Sequence, residues 1–538
     1  MRTLLLPTLL FASFTLHAQW TGDPAAPYAV CDAPFSQNIV QARADGAGGT
    51  YVFWTDQRNG RREIWAQRVN ADGIALWEPN GQQLLALPGG RHVSNYYAAS
   101  SANGDIFIAY VQSPGLAAGD TVRFARFDVN GASLIEPHPL VGGRTNQPVN
   151  SGYACNTTAV LVRPDGSAFV SWVGEGRRLG VVAADGSVPQ AYDGVLALPT
   201  NGLAPHKLVP DGSGGVILAT MYMNANTPAS LQRFNFQLEA QWPNTLVLPP
   251  QPGHNVNSFG LESMGADGFF VSWMAAAGEP GDLYVARFGV DGTPAWPEVQ
   301  KHVCSGALAL HDHQMTLRGD HLFVVWKKQA VTSRLYAQKL TPNGDLLWPA
   351  EGALVEPITT GVGTLRIVGM SDGGAMVTTN GNTYVAHRLS ASGQVQWAQA
   401  VHVAQGSFKP ETNWYDLLPM DDNGAVSFWH NWGNDVFGAR VLPSGALAGP
   451  VGVEEHGRSR PLTAWPVPAE GVLYLRLPDA QKPTSVTIHG SDGRLVPVPF
   501  AHAQDDLLHL DLRELAPGVY LAQVLVHAQR FHARFVKE

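Results

Sequence analysis

The residues able to do chemistry in this 538-residue chain are few and scattered. His311-Asp312-His313 would place two imidazoles on one face if the segment is a strand, because alternate strand residues point the same way. No third ligand stands at a metal-motif spacing, so a polar strand cluster is the better reading, and no metal and no cofactor is expected. Ser and His are common, but no G-x-S-x-G elbow accompanies them. Glycoside hydrolysis needs two carboxylates across the substrate; the segments that resemble inner strands offer only Glu262, Asp312, Glu411 and Asp416. Those segments begin instead with amides and an imidazole: Asn38, Asn95, Asn156, Asn257, His313 and Asn413. Such groups suit hydrogen bonding to a polar ligand without bond cleavage, and no catalytic residue is assigned.

Repeated Asp-Gly turns raise the question of calcium. Turn chemistry accounts for them without a metal, and the S-x-D-x-G-x-x-W Asp-box and the clustered carboxylates that calcium prefers are both missing. One charged knob is notable, Asp56 and Arg58 around the QRNG turn followed by Arg61, Arg62 and Glu63. Cys31, Cys155 and Cys304 allow one disulfide at most; Cys31 and Cys304 occupy equivalent places in distant units, so three small buried residues are expected.

The elements that must position these groups come from a repeat. Gly73, Gly131, Gly186, Gly292, Gly344, Gly393 and Gly445 each follow Asp, Asn or Ser, and Leu238 fills an eighth slot. The steps are 58, 55, 52, 54, 52, 49 and 52 residues. An apolar residue lies four before each slot, and Trp77, Trp242, Trp296, Trp348 and Trp397 lie four after. Asn-Gly and Asp-Gly favour the positive φ that tight turns demand. Each unit of roughly 50 residues reads as four short antiparallel strands, which is a propeller blade. A lone blade exposes two edges and an apolar face, so the blades must pack and close into a ring. Eight slots favour eight blades, with a seven-bladed ring plus one divergent unit left open. Trp54, Trp172, Trp273, Trp326 and Trp429 read as packing between blades.

Composition agrees: 15% charged residues with 57 Gly and 38 Pro suits short strands and tight turns. A net charge of −9 argues against nucleic acid and anionic membrane surfaces as partners. Residues 1–18, with Arg2, an apolar run from Leu4 to Leu16 and Ala18, read as a signal peptide cleaved before Gln19. That run is too short to span a bilayer, and no transmembrane segment is expected. A secreted or outer-surface location follows.

The phrases Asp45–Gly60 and Ile64–Trp77 resemble repeats of secreted propeller-like proteins of the Bacteroidota. From 461 the rhythm changes. SVTIHGSDGRLV, LHLDLRELAPGVYLAQVL and a basic last strand resemble the C-terminal sorting domain (type A) of the type IX secretion system. Gly493, Arg494, Leu512, Gly518, Tyr520 and Lys537 hold its motif places, with Leu515 and Val524; Trp465-Pro466-Val467-Pro468 replaces the usual Asn-Pro. The resemblance implies an Ig-like β-sandwich and the type IX secretion machinery as partner. The expected organisation is therefore a signal peptide (1–18), an all-β propeller (19–460) and a sorting domain (461–538). The expected function is non-enzymatic binding of a polysaccharide or a surface protein, with a propeller-fold hydrolase or lyase and an adhesive surface protein as alternatives.

Overall fold

The computed structural model describes residues 19–449 and 460–538, apart from 88, 114–120, 141–157, 175, 190–193, 199–205, 221–228, 249–254, 277–280, 308–312, 329–333, 358–361, 382, 478–482, 484, 491–494, 497, 499, 503–506 and 527–528. The chain divides into two compact units, Met1–Pro450 and Val451–Glu538.

The first unit is an eight-bladed β-propeller. The inner strands of blades 1 to 8 are Gln37–Ala44, His92–Ser100, Ala159–Val162, His206–Pro210, Asn255–Ser263, Gln314–Arg318, Val362–Gly369 and Pro410–Pro419. Each inner strand contacts the next, and the eighth contacts the first, so the circle is closed. Blades 1 to 7 run outward in chain order as four antiparallel strands. Blades 5 and 6 are additionally joined by the single pairing of Ala307 with Lys328. Blade 8 takes three strands from the end of the unit and its outermost strand, Tyr28–Cys31, from the beginning, paired with Val436–Val441.

Apolar surface is buried between blades, as it must be when each sheet is only four strands wide. Eight apolar clusters fill the eight blade interfaces. Trp54, Trp172, Trp273, Trp326 and Trp429 all lie in these clusters, none more than 3% exposed.

The slot glycines have two reasons to be glycine. Gly393 has φ of 81°, and a Cβ there would stand 2.6 Å from the Trp348 ring of the preceding blade. Trp348 also donates Nε1–H to Ala391 O at 3.0 Å, which locks ring and turn together. Trp242, Trp296 and Trp397 repeat the bond to Val290, Pro342 and Pro443. At the seam Trp20 plays this part against Gly73, donating to Ala71 O at 2.9 Å. Ring closure thus uses the repeat's own contact, supplied from the far end of the chain. Leu238, in the slot without glycine, keeps the turn at φ 65°.

The second unit is a sandwich of two sheets with the strand orders 460–461, 529–537, 518–526, 485–490, 495–496 and 464–465, 472–476, 507–511, 500–502. Leu473, Leu475, Ile488, Leu508, Leu510, Val524, Phe531 and Phe535 form its core.

Candidate functional site: channel wall and rims

An inner strand presents one unpaired edge to the central channel, and its amides and carbonyls need partners. A repeated side-chain position supplies them. Gln41 of blade 1 donates to Tyr96 O (2.8 Å) and accepts from Ala98 N (3.1 Å) on blade 2. Asp416 of blade 8 accepts from Ala42 N of blade 1 at 2.9 Å. Arg366 of blade 7 donates to Tyr415 O of blade 8 at 3.1 Å. Each residue pairs at the equivalent register with the second strand of its own blade: Gln41 with Phe53, Arg366 with Thr378, Asp416 with Phe428. The channel wall is thereby stitched by polar side chains, which explains an amide, a carboxylate and a guanidinium at one repeat position.

Charges in the wall are matched. Arg43 lies 3.0 Å from Asp416, donates to Ala98 O and Gln41 Oε1, and covers the Tyr97 ring at 5.0 Å. On blades 4 and 5, Lys207 and Glu262 influence each other. Burial pushes the Glu262 carboxyl up to about 7, with Lys207 pulling it back.

We call the face where inner strands begin the upper rim. Asn38 stands there at the start of blade 1, half-buried, beside a bulge that places Ile39 at φ 55°. Asn95 is buried on the inner strand of blade 2. Asn257 and Asn413 lie on the inner strands of blades 5 and 8, with side chains outside the described residues, and Asn156 lies outside them altogether.

His313 opens blade 6 and is buried between two hydroxyls of blade 5, Nδ1 2.6 Å from Ser258 Oγ and Nε2 2.5 Å from Ser272 Oγ. Burial drives its pKa down to about 3, so it is neutral, and this Ser–His contact is closed to solvent. His311 and Asp312 are outside the described residues.

The sequence reading missed the two most solvent-exposed aromatics among the described residues, Phe35 (72%) and Trp432 (60%). Both lie on the upper rim at the seam between blades 8 and 1. Phe35 precedes the inner strand of blade 1, and Trp432 follows Asn431, which is paired with Pro410 at the start of the inner strand of blade 8. Gln37 N donates to Asn434 O at 2.8 Å and Gln57 N to Ser36 O at 3.0 Å, tying the loops together. Phe35 has φ of 74°, a strained conformation for a non-glycine whose ring gains no burial. The available signal was Trp-Gly-Asn in the turn between the second and third strands, where no other unit places a Trp.

Nearby carboxylates are mostly engaged. Glu411 meets buried His430 Nε2 at 3.0 Å, and burial lowers the His430 pKa. Asp435 is half-buried, its pKa raised by burial and by the neighbouring charge of Asp32. The charged knob of blade 1 is partly a core feature. Asp56 is fully buried, bonded to Trp54 Nε1 (2.8 Å) and Arg58 Nη2 (2.6 Å), while Arg58 stacks on Trp65 at 3.8 Å. Arg61, Arg62, Gln57 and His92 line an open cleft of about 540 Å³ beside it.

On the lower rim, aspartates of the turns between first and second strands are held by arginine. Asp45–Arg68, Asp211–Arg233 and Asp422–Arg440 each lie at 2.8 Å, Asp105–Arg126 at 2.5 Å, and Asp372 pairs with Arg388. Among the described residues no three His, Cys, Asp or Glu side chains lie together as a metal set. Cys31 and Cys304 are free and buried, and Cys155 is outside the described residues.

In the second unit Leu512 is fully buried and Tyr520 OH donates to Ala516 O at 2.8 Å, closing the turn that leads into Gly518. Lys537 is buried at the end of the last strand. Gly493 and Arg494 fall outside the described residues.

Comparison with known proteins bears on both units. Residues 463–538 match the secretion system C-terminal sorting domain family. No match was found among curated proteins. Similar solved structures include a lectin from Burkholderia pseudomallei (10% identity, 78% of this chain and 99% of that one, TM-score 0.39). They also include a polysaccharide lyase (9%, 69% and 94%, TM-score 0.38) and a Hadza microbial sialidase (13%, 56% and 66%, TM-score 0.33). At these values the likeness carries no argument about activity. The sorting domain bears on destination: it marks the chain for type IX export, to the medium or the cell surface, and implies contact with that machinery. No described helix is long and apolar enough to cross a membrane.

Proposed function

We propose that this is a non-enzymatic binding protein, displayed on or released from the outer surface of a Bacteroidota-type cell after signal-peptide removal. Its ligand, a carbohydrate or a surface protein, is held on the upper rim of the propeller. One observation carries the reading: Phe35 and Trp432 are exposed on tied loops next to the amide-bearing start of blade 1, whereas Glu411 and Asp416 are committed to His430 and Arg43. Flat exposed rings flanked by amides supply stacking and hydrogen bonds to a polar ligand. Asn38, Asn156, Asn257 and Asn413 remain proposed rim ligands, Asn38 being half-buried and close in the chain to Phe35. Asn95 is buried, and His313 is buried with both ring nitrogens on serine hydroxyls, so neither of these two is offered to a ligand.

The test is binding of the secreted chain to a panel of bacterial, algal and plant polysaccharides, with newly formed reducing ends measured in the same wells. Binding that weakens at least tenfold in Trp432→Ala, without new ends, supports the reading. New reducing ends would refute it and make Asp32 and Asp435 the first pair to replace. Failure to bind any glycan moves the ligand to a protein.

A further inference from the structure

The lower rim carries a device that is complete in five blades. Blade 3 has Val181 in the cation's place, blade 5 bonds Arg287 to the backbone oxygens of Asp267 and Pro342, and blade 6 departs in a third way. The residue before the third-strand apolar slot is Arg68, Arg126, Arg233, Arg287, Lys339, Arg388 or Arg440 in blades 1, 2, 4, 5, 6, 7 and 8. In blades 1, 2, 4, 7 and 8 this cation meets an Asp of its own blade's first turn. Arg126 also reaches onward to Gly166 O and Ala184 O of blade 3, and Arg440 to Ala71 O of blade 1. The cation thus bridges a carboxylate on its own blade and a carbonyl on the next.

Blade 6 keeps only the second half. Lys339, 7% exposed, donates to Gly373 O of blade 7 at 2.9 Å and lies over the Phe323 ring, as Arg126 lies over Phe107. The first half is missing because the turn is built differently. Elsewhere five residues separate the paired ends, as between Ala44 and Thr50 or Gly369 and Ala375. In blade 6 pairing continues to Arg318 and His321, and the chain reverses on Gly319–Asp320 alone. Asp320 turns to His321 at 2.6 Å, and Asp372 is held by Arg388. Beside Lys339 lies a cavity of about 470 Å³ lined by Arg318, Asp320, His321, Phe323, Ser371 and Asp372, its two carboxylates being those held by His321 and Arg388. Burial lowers the Lys339 pKa, with Asp320 and Asp372 partly opposing it.

We infer that this cavity binds a carboxylate, presented by a ligand no larger than a hexuronate, at the place where five other blades put their own Asp. The repeat itself identifies the chemistry: the same strand position is matched to a carboxylate in five blades, and in two of them the cation lies over a ring as it does in blade 6. Arg318 at the mouth adds a second cation, and His321 and Ser371 offer hydrogen-bonding groups to the rest of the ligand. The site is on the opposite rim from Phe35 and Trp432 and stands or falls independently of the function proposed for them.

The experiment titrates the full secreted chain with glucuronate, glucose, acetate and inorganic phosphate, followed by calorimetry and ligand-observed NMR. Glucuronate should bind in the millimolar range or tighter, glucose not at all, and acetate weakly. Lys339→Met should weaken glucuronate at least tenfold and Arg318→Ala several-fold. A second variant replaces Arg318–His321 with the Met370–Gly374 turn of blade 7, which brings its own Asp to Lys339. It should fold at least as stably and lose glucuronate binding. Equal binding of glucose, preference for phosphate, no binding of any probe, or undiminished binding in the turn-replacement variant would each overturn the assignment.

Discussion

Trp20 offers the sharpest test of how the ring is closed. The side chain is 1% exposed, packs edge-on to Tyr28 with ring centroids 5.5 Å apart, touches Phe428, and hydrogen-bonds Ala71 O. Replacing a buried Trp with Ala typically costs about 3–5 kcal/mol, and the lost hydrogen bond is contained in that figure. Here the loss falls on one segment, because Trp20 and the Tyr28–Cys31 strand reach blade 8 from the beginning of the chain. If that segment detaches before the ring unfolds, its opening becomes easier by the same amount, which is roughly a hundred- to several-thousandfold in open population. Cys31 reports the opening, since it is fully buried on the closing strand and its thiol pKa is pushed up to about 11 by burial. Cys304, buried in blade 5, is the internal control. Thiol alkylation followed by peptide mass spectrometry should show Trp20→Ala accelerating Cys31 by at least a hundredfold while Cys304 changes little. Equal acceleration of both thiols would mean that the ring opens only by global unfolding, and no acceleration of either would mean that Trp20 does not hold the seam.

Gly393→Ala, where a Cβ meets the Trp348 ring and φ is 81°, should cost about 2–3 kcal/mol in denaturant unfolding. Gly60→Ala, with φ 80° and no neighbour within 4 Å, should cost only about 1. His313 is neutral in the fold with a pKa of about 3, below its unfolded value, so the unfolded chain binds the extra proton. Its contribution is complete above about pH 6.5 and is lost as pH falls toward 3, on the order of 3–5 kcal/mol, and His313→Gln should flatten that limb of a stability–pH curve. Glu262 has the opposite sign: its raised pKa makes the folded state lose stability as pH rises through about 4.5 to 7, so Glu262→Gln should raise Tm at pH 8 and leave it unchanged at pH 4. Deleting 461–538 should leave the propeller in the periplasm, scored by cell fractionation; normal surface appearance would remove the sorting role assigned to this domain.

The repeat was legible because its punctuation is local chemistry. Gly73 to Gly445 mark turns that need positive φ, and the Trp four residues on marks a ring that packs on the next turn, so period and unit content follow from residue types alone. The sorting domain was legible for the same reason, as three ordered phrases in one short stretch. The rim was harder. Amides near inner-strand starts are visible in sequence, but the bulge between Asn38 and Gln41 resets the register, and it is Gln41, Arg366 and Asp416 that reach the neighbouring strand edges. A bulge of one residue exchanges the two faces of a strand, and no composition rule announces it.

What the sequence by itself determined is the unit, its number of copies and the direction of export, because these depend on residues close together in the chain. Blade count, closure by Trp20 and Tyr28–Cys31, the burial of His313 between two serines and the altered turn beside Lys339 were decided only by tertiary structure. Each joins groups from different blades, and which partners meet there depends on how eight similar sheets close into one circle.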